Sequence, residues 1–321
     1  MWTFSSKTRR QKTQKELLVA QKSLSLSSQY QWSAINATAP GVGNDLADDI
    51  IVSLTTFDKR IDDVYLTIES LLQQSLKSDR IILWVSEQEF TASDIPHVLR
   101  LQERRGLEVR FCPEDLGSYK KYFYTLKQYP QSLILTVDDD ILYPHDLVDQ
   151  LYRNYQRSPN VIHCTRAHGM RLSSYDEVEP YKRWDRPCRD SRPSLLTFPT
   201  GMGGVLYFPG CFDEQVLNKD LFMALCPHAD DVWLKAMSLK QGILCKKIKD
   251  PRDHRLRFPQ IIGSQNHSLK RKNKSACNGN DVKLKAVFEH FKLHEKLRQP
   301  ALRSSTAENY QPDAQVVLNT R

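Results

Sequence analysis

The chain has 321 residues with 40% apolar content, enough for a large buried core, and 46 Lys and Arg against 38 Asp and Glu leave it at +8. No stretch approaches the ~20 apolar residues of a membrane span, and the N-terminus lacks the apolar centre of a secretory signal, so a cytoplasmic protein is expected. The seven cysteines are odd in number and form no C-x-x-C pair, which argues against a disulfide framework or a zinc site.

Residues 1–48 read as a polar, basic arm with a short helical candidate from Lys15 to Leu26; Lys7, Arg9, Arg10, Lys12, Lys15 and Lys22 crowd it. Order begins at Ile50-Ile51-Val52-Ser53-Leu54, an apolar β-branched run suited to a parallel strand buried on both faces, followed by a loop with Thr55, Thr56 and Arg60. A helix is predicted over Val64–Leu72, a strand over Ile81–Val85, a helix near Ile95–Arg104, a strand over Leu107–Phe111 and a helix from about Ser118 to Gln128, with Lys120 and Lys121 at its start. The fourth strand, Leu133-Ile134-Leu135-Thr136-Val137, runs into Asp138-Asp139-Asp140. Such β-α alternation predicts an α/β fold with a mostly parallel sheet flanked by helices, binding its ligands beyond the carboxyl ends of the strands.

Three adjacent carboxylates repel one another and require a cation. On an extended chain Asp138 and Asp140 project to the same side, where they suit one hard divalent ion. Downstream, a helix is expected over Asp146–Gln156, a surface loop from Tyr175 to Pro199, three glycines (Gly201, Gly203, Gly204) against a short strand, and a helix opened by Asp230-Asp231. A second basic region (Lys246 to Lys274), an amphipathic helix from Asp281 to Leu297 and a loose polar tail over 299–321 complete the chain. The basic residues lack interleaved aromatics or a helix-turn-helix pattern, so an anionic small substrate or an anionic membrane surface fits them better than nucleic acid.

The order of these pieces resembles the GT-A glycosyltransferases, specifically the family 2-like inverting enzymes, over about residues 50 to 295, which implies a catalytic domain over 49–298. The resemblance rests on Ile50 to Thr56, Asp138-Asp139-Asp140 as the D-x-D motif, Gly203-Gly204 and Ala229-Asp230-Asp231. It implies a single catalytic domain transferring one sugar from a nucleotide-diphosphate sugar, a UDP-sugar foremost, to a glycan or lipid-linked acceptor hydroxyl. By it, Asp138 and Asp140 hold Mn2+ or Mg2+ on the diphosphate, with His254 completing the metal shell. Thr55, Thr56, Arg60, Lys120, Lys121, Asp139, Gly203 and Gly204 contact the donor. Asp231 is the general base and Asp230 orients it or the acceptor, although the residues alone do not choose between the two.

Tyr207 and Trp233 are candidates to stack on sugars, or are simply core. The Q-x-x-R-W element of processive polysaccharide synthases is absent after Asp231, which favours single-sugar transfer. Competing readings are a haloacid-dehalogenase-type phosphatase, whose nucleophilic Asp ends the first strand rather than the fourth, and a nucleotidyltransferase, which needs a glycine-rich loop where Leu54-Thr55-Thr56-Phe57-Asp58 has no glycine. A non-catalytic nucleotide- or sugar-binding module is the third.

Overall fold

A computed structural model describes residues 2–264 and 279–298. Its centre is a seven-stranded sheet in the order β3-β2-β1-β4-β8-β5-β9. The strands are β1 (Ile50–Thr55), β2 (Arg80–Ser86), β3 (Leu107–Cys112), β4 (Leu133–Thr136), β5 (Val161–Cys164), β8 (Val205–Tyr207) and β9 (Leu244–Lys247); β6 (Ala167–Gly169) and β7 (Thr197–Pro199) form a separate two-stranded ribbon. β1 pairs in parallel with β2 and β4, β2 with β3, and β5 with β9, whereas β8 runs antiparallel to both β4 and β5. The predicted mostly parallel sheet is therefore present, with one reversed strand that the glycine-rich segment supplies.

Both faces are covered, as continuous apolar strands require. Ile50, Val52 and Leu54 of β1 pack toward α2 (Val64–Leu72), α3 (His97–Glu103) and α5 (Leu147–Arg157). On the opposite face lie α4 (Lys120–Gln128), α7 (Asp230–Lys240) and α9 (Asn280–His290), whose buried side chains join Tyr207, Phe222 and Trp233 in a second core. Trp233 and Tyr207 are thus core residues. The Ser53 hydroxyl fixes α4 to β1, donating to the Lys121 carbonyl and lying 2.7 Å from Thr125 Oγ1, to which Trp84 Nε1 also donates.

Several local expectations are corrected. The N-terminal segment is not a short helical stretch in an arm but a 35-residue helix, α1 (Trp2–Asn36), which packs on α2, α3 and α8 (His254–Arg257). Its polar, serine-rich composition hid its length: over residues 11–36, where burial is described, Ser23, Tyr30 and Ala34 are the buried positions, too narrow a stripe to read as amphipathic. The expected single helix Asp281–Leu297 is two, α9 and α10 (Leu293–Arg298), broken where Lys292 takes φ 52°. The stretch Tyr175–Pro199 is mostly irregular but ends in β7. Of the late basic region, Lys270, Arg271, Lys272 and Lys274 lie outside the described residues, as does the 299–321 tail.

Candidate active site

The sheet order reverses between β1 and β4, since β2 and β3 extend on one side and β8, β5 and β9 on the other. A crevice outside the carboxyl ends of strands forms at such a switch point. The loop after β1 carries Thr56 and Arg60, and the turn after β4 carries the three aspartates, so the candidate residues meet at this switch point.

β4 ends at Thr136, and Asp139 and Asp140 already lie in a turn, so the strand alternation does not extend through the cluster. The acids consequently have different partners. Asp138, its side chain 33% exposed, accepts a hydrogen bond from Lys121 Nζ at 2.8 Å. Asp139 is buried, accepting from Thr56 Oγ1 at 2.9 Å and from Arg60 Nη1. Arg60 Nη2 reaches Asp140 at 3.2 Å. The turn is held by Thr67, whose hydroxyl lies 3.0 and 2.9 Å from the Asp139 and Ile141 carbonyls, and by the Tyr143 hydroxyl, which accepts the Asp138 N–H at 2.8 Å. Burial, opposed by Arg60 and reinforced by Asp140, pushes the Asp139 carboxyl up to about 6.

The second acid pair joins the first through one lysine. Lys121 Nζ lies 3.2 Å from Asp230 Oδ2 as well as 2.8 Å from Asp138 Oδ1. Burial lowers the pKa of this enclosed ammonium, but Asp138, Asp230 and Asp231 together raise it well above the ordinary lysine range, so it remains charged. Asp231, at the start of α7, accepts from the Gly201 N–H at 3.4 Å, and burial followed by Asp230 pushes its carboxyl up to about 7. Gly201 is needed because a Cβ there would sit 2.9 Å from Asp138 Oδ1 and 3.2 Å from Lys121 Nζ.

The other predicted donor contacts are placed as follows. Lys120 is engaged by Asp115 at 2.6 Å and Glu89 at 3.6 Å, apart from the aspartate cluster. The Thr55 hydroxyl donates to the Trp84 carbonyl at 2.8 Å. Gly204, at φ 89°, packs its backbone against Leu135 and Leu147 and turns the chain into β8. A Cβ on Gly203 would lie 2.0 Å from Thr165 Oγ1 and 3.3 Å from His254 Nε2, so only glycine lets the turn pack this closely against Thr165 beside His254. That histidine stacks on Phe258 at 4.5 Å, and its Nε2 is buried without a hydrogen-bond partner among the described residues.

Sequence reading missed Arg166, which follows β5 and donates to Thr200 Oγ1 at 2.7 Å, and Tyr181, whose hydroxyl lies 2.6 Å from His168 Nδ1. Burial and then Asp231 push the Tyr181 phenol up to about 12. Recognising β5 as a strand would have drawn attention to Thr165 and Arg166 at its carboxyl end.

Among the described residues no three His, Cys, Asp or Glu side chains converge as a ready metal cage. A magnesium- or manganese-type ion on a substrate diphosphate needs only one or two protein carboxylates, because phosphate and water complete its shell. Asp138, partly open and surrounded by excess negative charge, meets that requirement with its neighbours.

No protein-family model and no curated protein sequence matches the chain. Similar solved structures include a mannosyltransferase, PcManGT from Pyrobaculum calidifontis, in complex with GDP-Man and Mn2+ (12% identity, TM-score 0.43, covering 88% of this chain and 83% of that one). They include residues 1-349 of S. aureus TarS in complex with UDP (14% identity, TM-score 0.40, covering 63% and 58%). A third is 4-diphosphocytidyl-2C-methyl-D-erythritol synthase (12% identity, TM-score 0.39, covering 71% and 99%). The α/β fold class rests on the sheet order and on the helices covering both of its faces.

Proposed function

We propose that the chain is a metal-dependent glycosyltransferase that moves a single sugar from a nucleotide-diphosphate sugar to an acceptor hydroxyl of a glycan or lipid-linked substrate, with inversion. The observation that carries this reading is Lys121, which gathers the strand-end aspartate cluster and the Asp230–Asp231 pair into one site. A metal-binding module would need only the first, and a helix N-terminus only the second.

Asp138 and Asp140 would hold Mn2+ or Mg2+, with Arg60 yielding Asp140 when the ion binds. The bound ion supplies electrostatic stabilisation to the departing nucleotide diphosphate. Thr56 and Arg60 position Asp139 at the donor side of the crevice. Lys121 places a permanent positive charge between donor and acceptor halves, where it offsets the growing negative charge of the leaving group.

Asp231 acts as the general base. The acceptor oxygen forms its bond to the anomeric carbon while the bond from that carbon to the diphosphate breaks, and the hydroxyl proton passes to the Asp231 carboxylate. A base held near 7 is matched to this task at neutral pH. Asp230, paired with Lys121, keeps the lysine charged and orients the start of α7.

A panel of nucleotide sugars, screened for thermal stabilisation with and without Mn2+, tests the reading; a metal-dependent shift with at least one donor is expected, and none with any donor would sink it. Asp231→Asn is expected to lower turnover by about 10²–10⁴-fold while leaving donor binding intact. Release of inorganic pyrophosphate in place of sugar transfer would identify a nucleotidyltransferase instead. The basic α1 helix is proposed to bring the enzyme to an anionic membrane surface.

A further inference from the structure

Arg60, Lys120, Lys121 and Arg257 each have a carboxylate partner. Arg166 has none among the described residues. Its guanidinium donates to a neutral hydroxyl, Thr200 Oγ1, at 2.7 Å, and its own carbonyl accepts the Thr200 N–H at 3.1 Å, which fixes it beside the glycine turn. A half-buried guanidinium without a counter-charge is a planar fork of donors suited to phosphate or carboxylate.

His254 shares this place. Its Nε2 is buried without a hydrogen-bond partner among the described residues, and with the ring proton there it is a second donor. A cation at the same spot would meet the repulsion of Arg166. Gly203 packs its backbone closely against Thr165 and within reach of Arg166 Cβ and His254 Nε2, which brings the two side chains to one end of the turn. The Gly201–Gly203 turn therefore separates two ends of opposite character. At Gly201 stand Asp138, Lys121 and Asp231, with acids in excess; at Gly203 stand Arg166 and His254.

We infer that Arg166 and His254 form an anion-binding subsite at the Gly203 end of this turn, taking a phosphoryl group of a substrate, with Arg166 as the principal contact. His254 is thereby assigned to the anion rather than to a metal shell. The inference deepens the glycosyl-transfer reading and rests on it only for the identity of the phosphoryl bearer: the donor's diphosphate, or a phosphate on the acceptor.

Calorimetric titration of the full-length protein with inorganic phosphate, pyrophosphate, UDP and GDP, the nucleotides with and without Mn2+, tests it. In Arg166→Gln, pyrophosphate and phosphate are expected to bind at least about tenfold more weakly than in wild type, with partial recovery in Arg166→Lys and a smaller loss in His254→Gln. A parallel loss for UDP or GDP assigns the subsite to the donor. Unchanged nucleotide affinity beside weakened phosphate and pyrophosphate assigns it to an acceptor phosphate. Equal phosphate and pyrophosphate affinities in wild type and a folded Arg166→Gln, or no binding of either by wild type, overturn the subsite. Absent metal-dependent nucleotide binding with Arg166-dependent phosphate binding intact would instead remove the transfer reading and leave the subsite standing.

Discussion

Asp138, Asp139 and Asp140 are neighbours in the chain but serve different cations, Lys121 for the first and Arg60 for the other two. That division follows from the turn after Thr136, and it decides which carboxylate stays accessible. Asp139 and Asp231 are raised to about 6 and about 7, so between about pH 4 and pH 7 the folded protein holds protons at these positions that the unfolded chain has released. Their contribution to stability is thus lost as pH rises through that window. Buried His163, His168 and His254, lowered to about 4, 3 and 4, act in the opposite direction, and their effect cancels when a variant is compared with wild type. Asp139→Asn is accordingly expected to gain in melting temperature relative to wild type as metal-free buffer is taken from about pH 5 to about pH 7; a difference independent of pH would contradict this. For turnover, an acidic limb with an inflection near 7 is expected if Asp231 must be ionised, and kcat/KM measured across this range shows it. The aspartate cluster, Lys121 and Asp231 were legible as residues because charge at the end of an apolar strand or at a helix start is conspicuous. Arg166 was not, since one arginine in a basic chain carries no signal until its lack of a counter-charge is seen.

At the scale of elements, β1 to β4 and α2 to α5 could be read from the sequence because strands buried on both faces are continuous apolar runs and the helices between them keep a 3.6-residue period. β5 and β9 contain His163 and the lysines Lys246 and Lys247, which conceal their burial, and three-residue β8 is too short to show a period. One element-level contact has a large predicted cost. Glu69 of α2 and Arg105 after α3 form a buried ion pair at 2.7 Å; Gln102 Nε2 donates to the same carboxylate at 3.0 Å, and Arg105 Nε reaches the Ala39 carbonyl at 3.1 Å. Arg105 thereby ties α2, α3 and the strap that follows α1. Arg105→Ala leaves Glu69 charged and enclosed, and a loss of about 3–5 kcal/mol is expected in denaturant unfolding. A change below about 1 kcal/mol would mean that water reaches the carboxylate.

For the whole molecule, α1 is notable for the apolar side chains that it exposes among the described residues. Leu17, Leu24 and Ile35 are exposed and, at 3.6 residues per turn, fall within about 20° of one another, with exposed Trp32 close by. The same helix carries Lys7, Arg9, Arg10, Lys12, Lys15 and Lys22 against a single acid, Glu16. An apolar stripe with this charge complements an anionic lipid surface. No described helix is long and apolar enough to cross a membrane. Co-sedimentation with vesicles containing phosphatidylserine is expected to be salt-sensitive and to be lost in Leu24→Asp/Trp32→Asp. Concentration-dependent dimerisation in its place would assign the stripe to a second copy. α1 also meets the site: Lys15 pairs with Asp253 and the Ser23 hydroxyl donates to the Gln260 carbonyl at 2.7 Å, on either side of the segment that bears His254. The sequence by itself determined the fold class and the two acid groups, because continuous burial and clustered charge are properties of neighbours along the chain. Only the tertiary structure decided which cation each acid meets, that one lysine joins the two groups, and that Arg166 has no counter-charge among the described residues, because those contacts link residues far apart in sequence through a sheet order that local patterns do not encode.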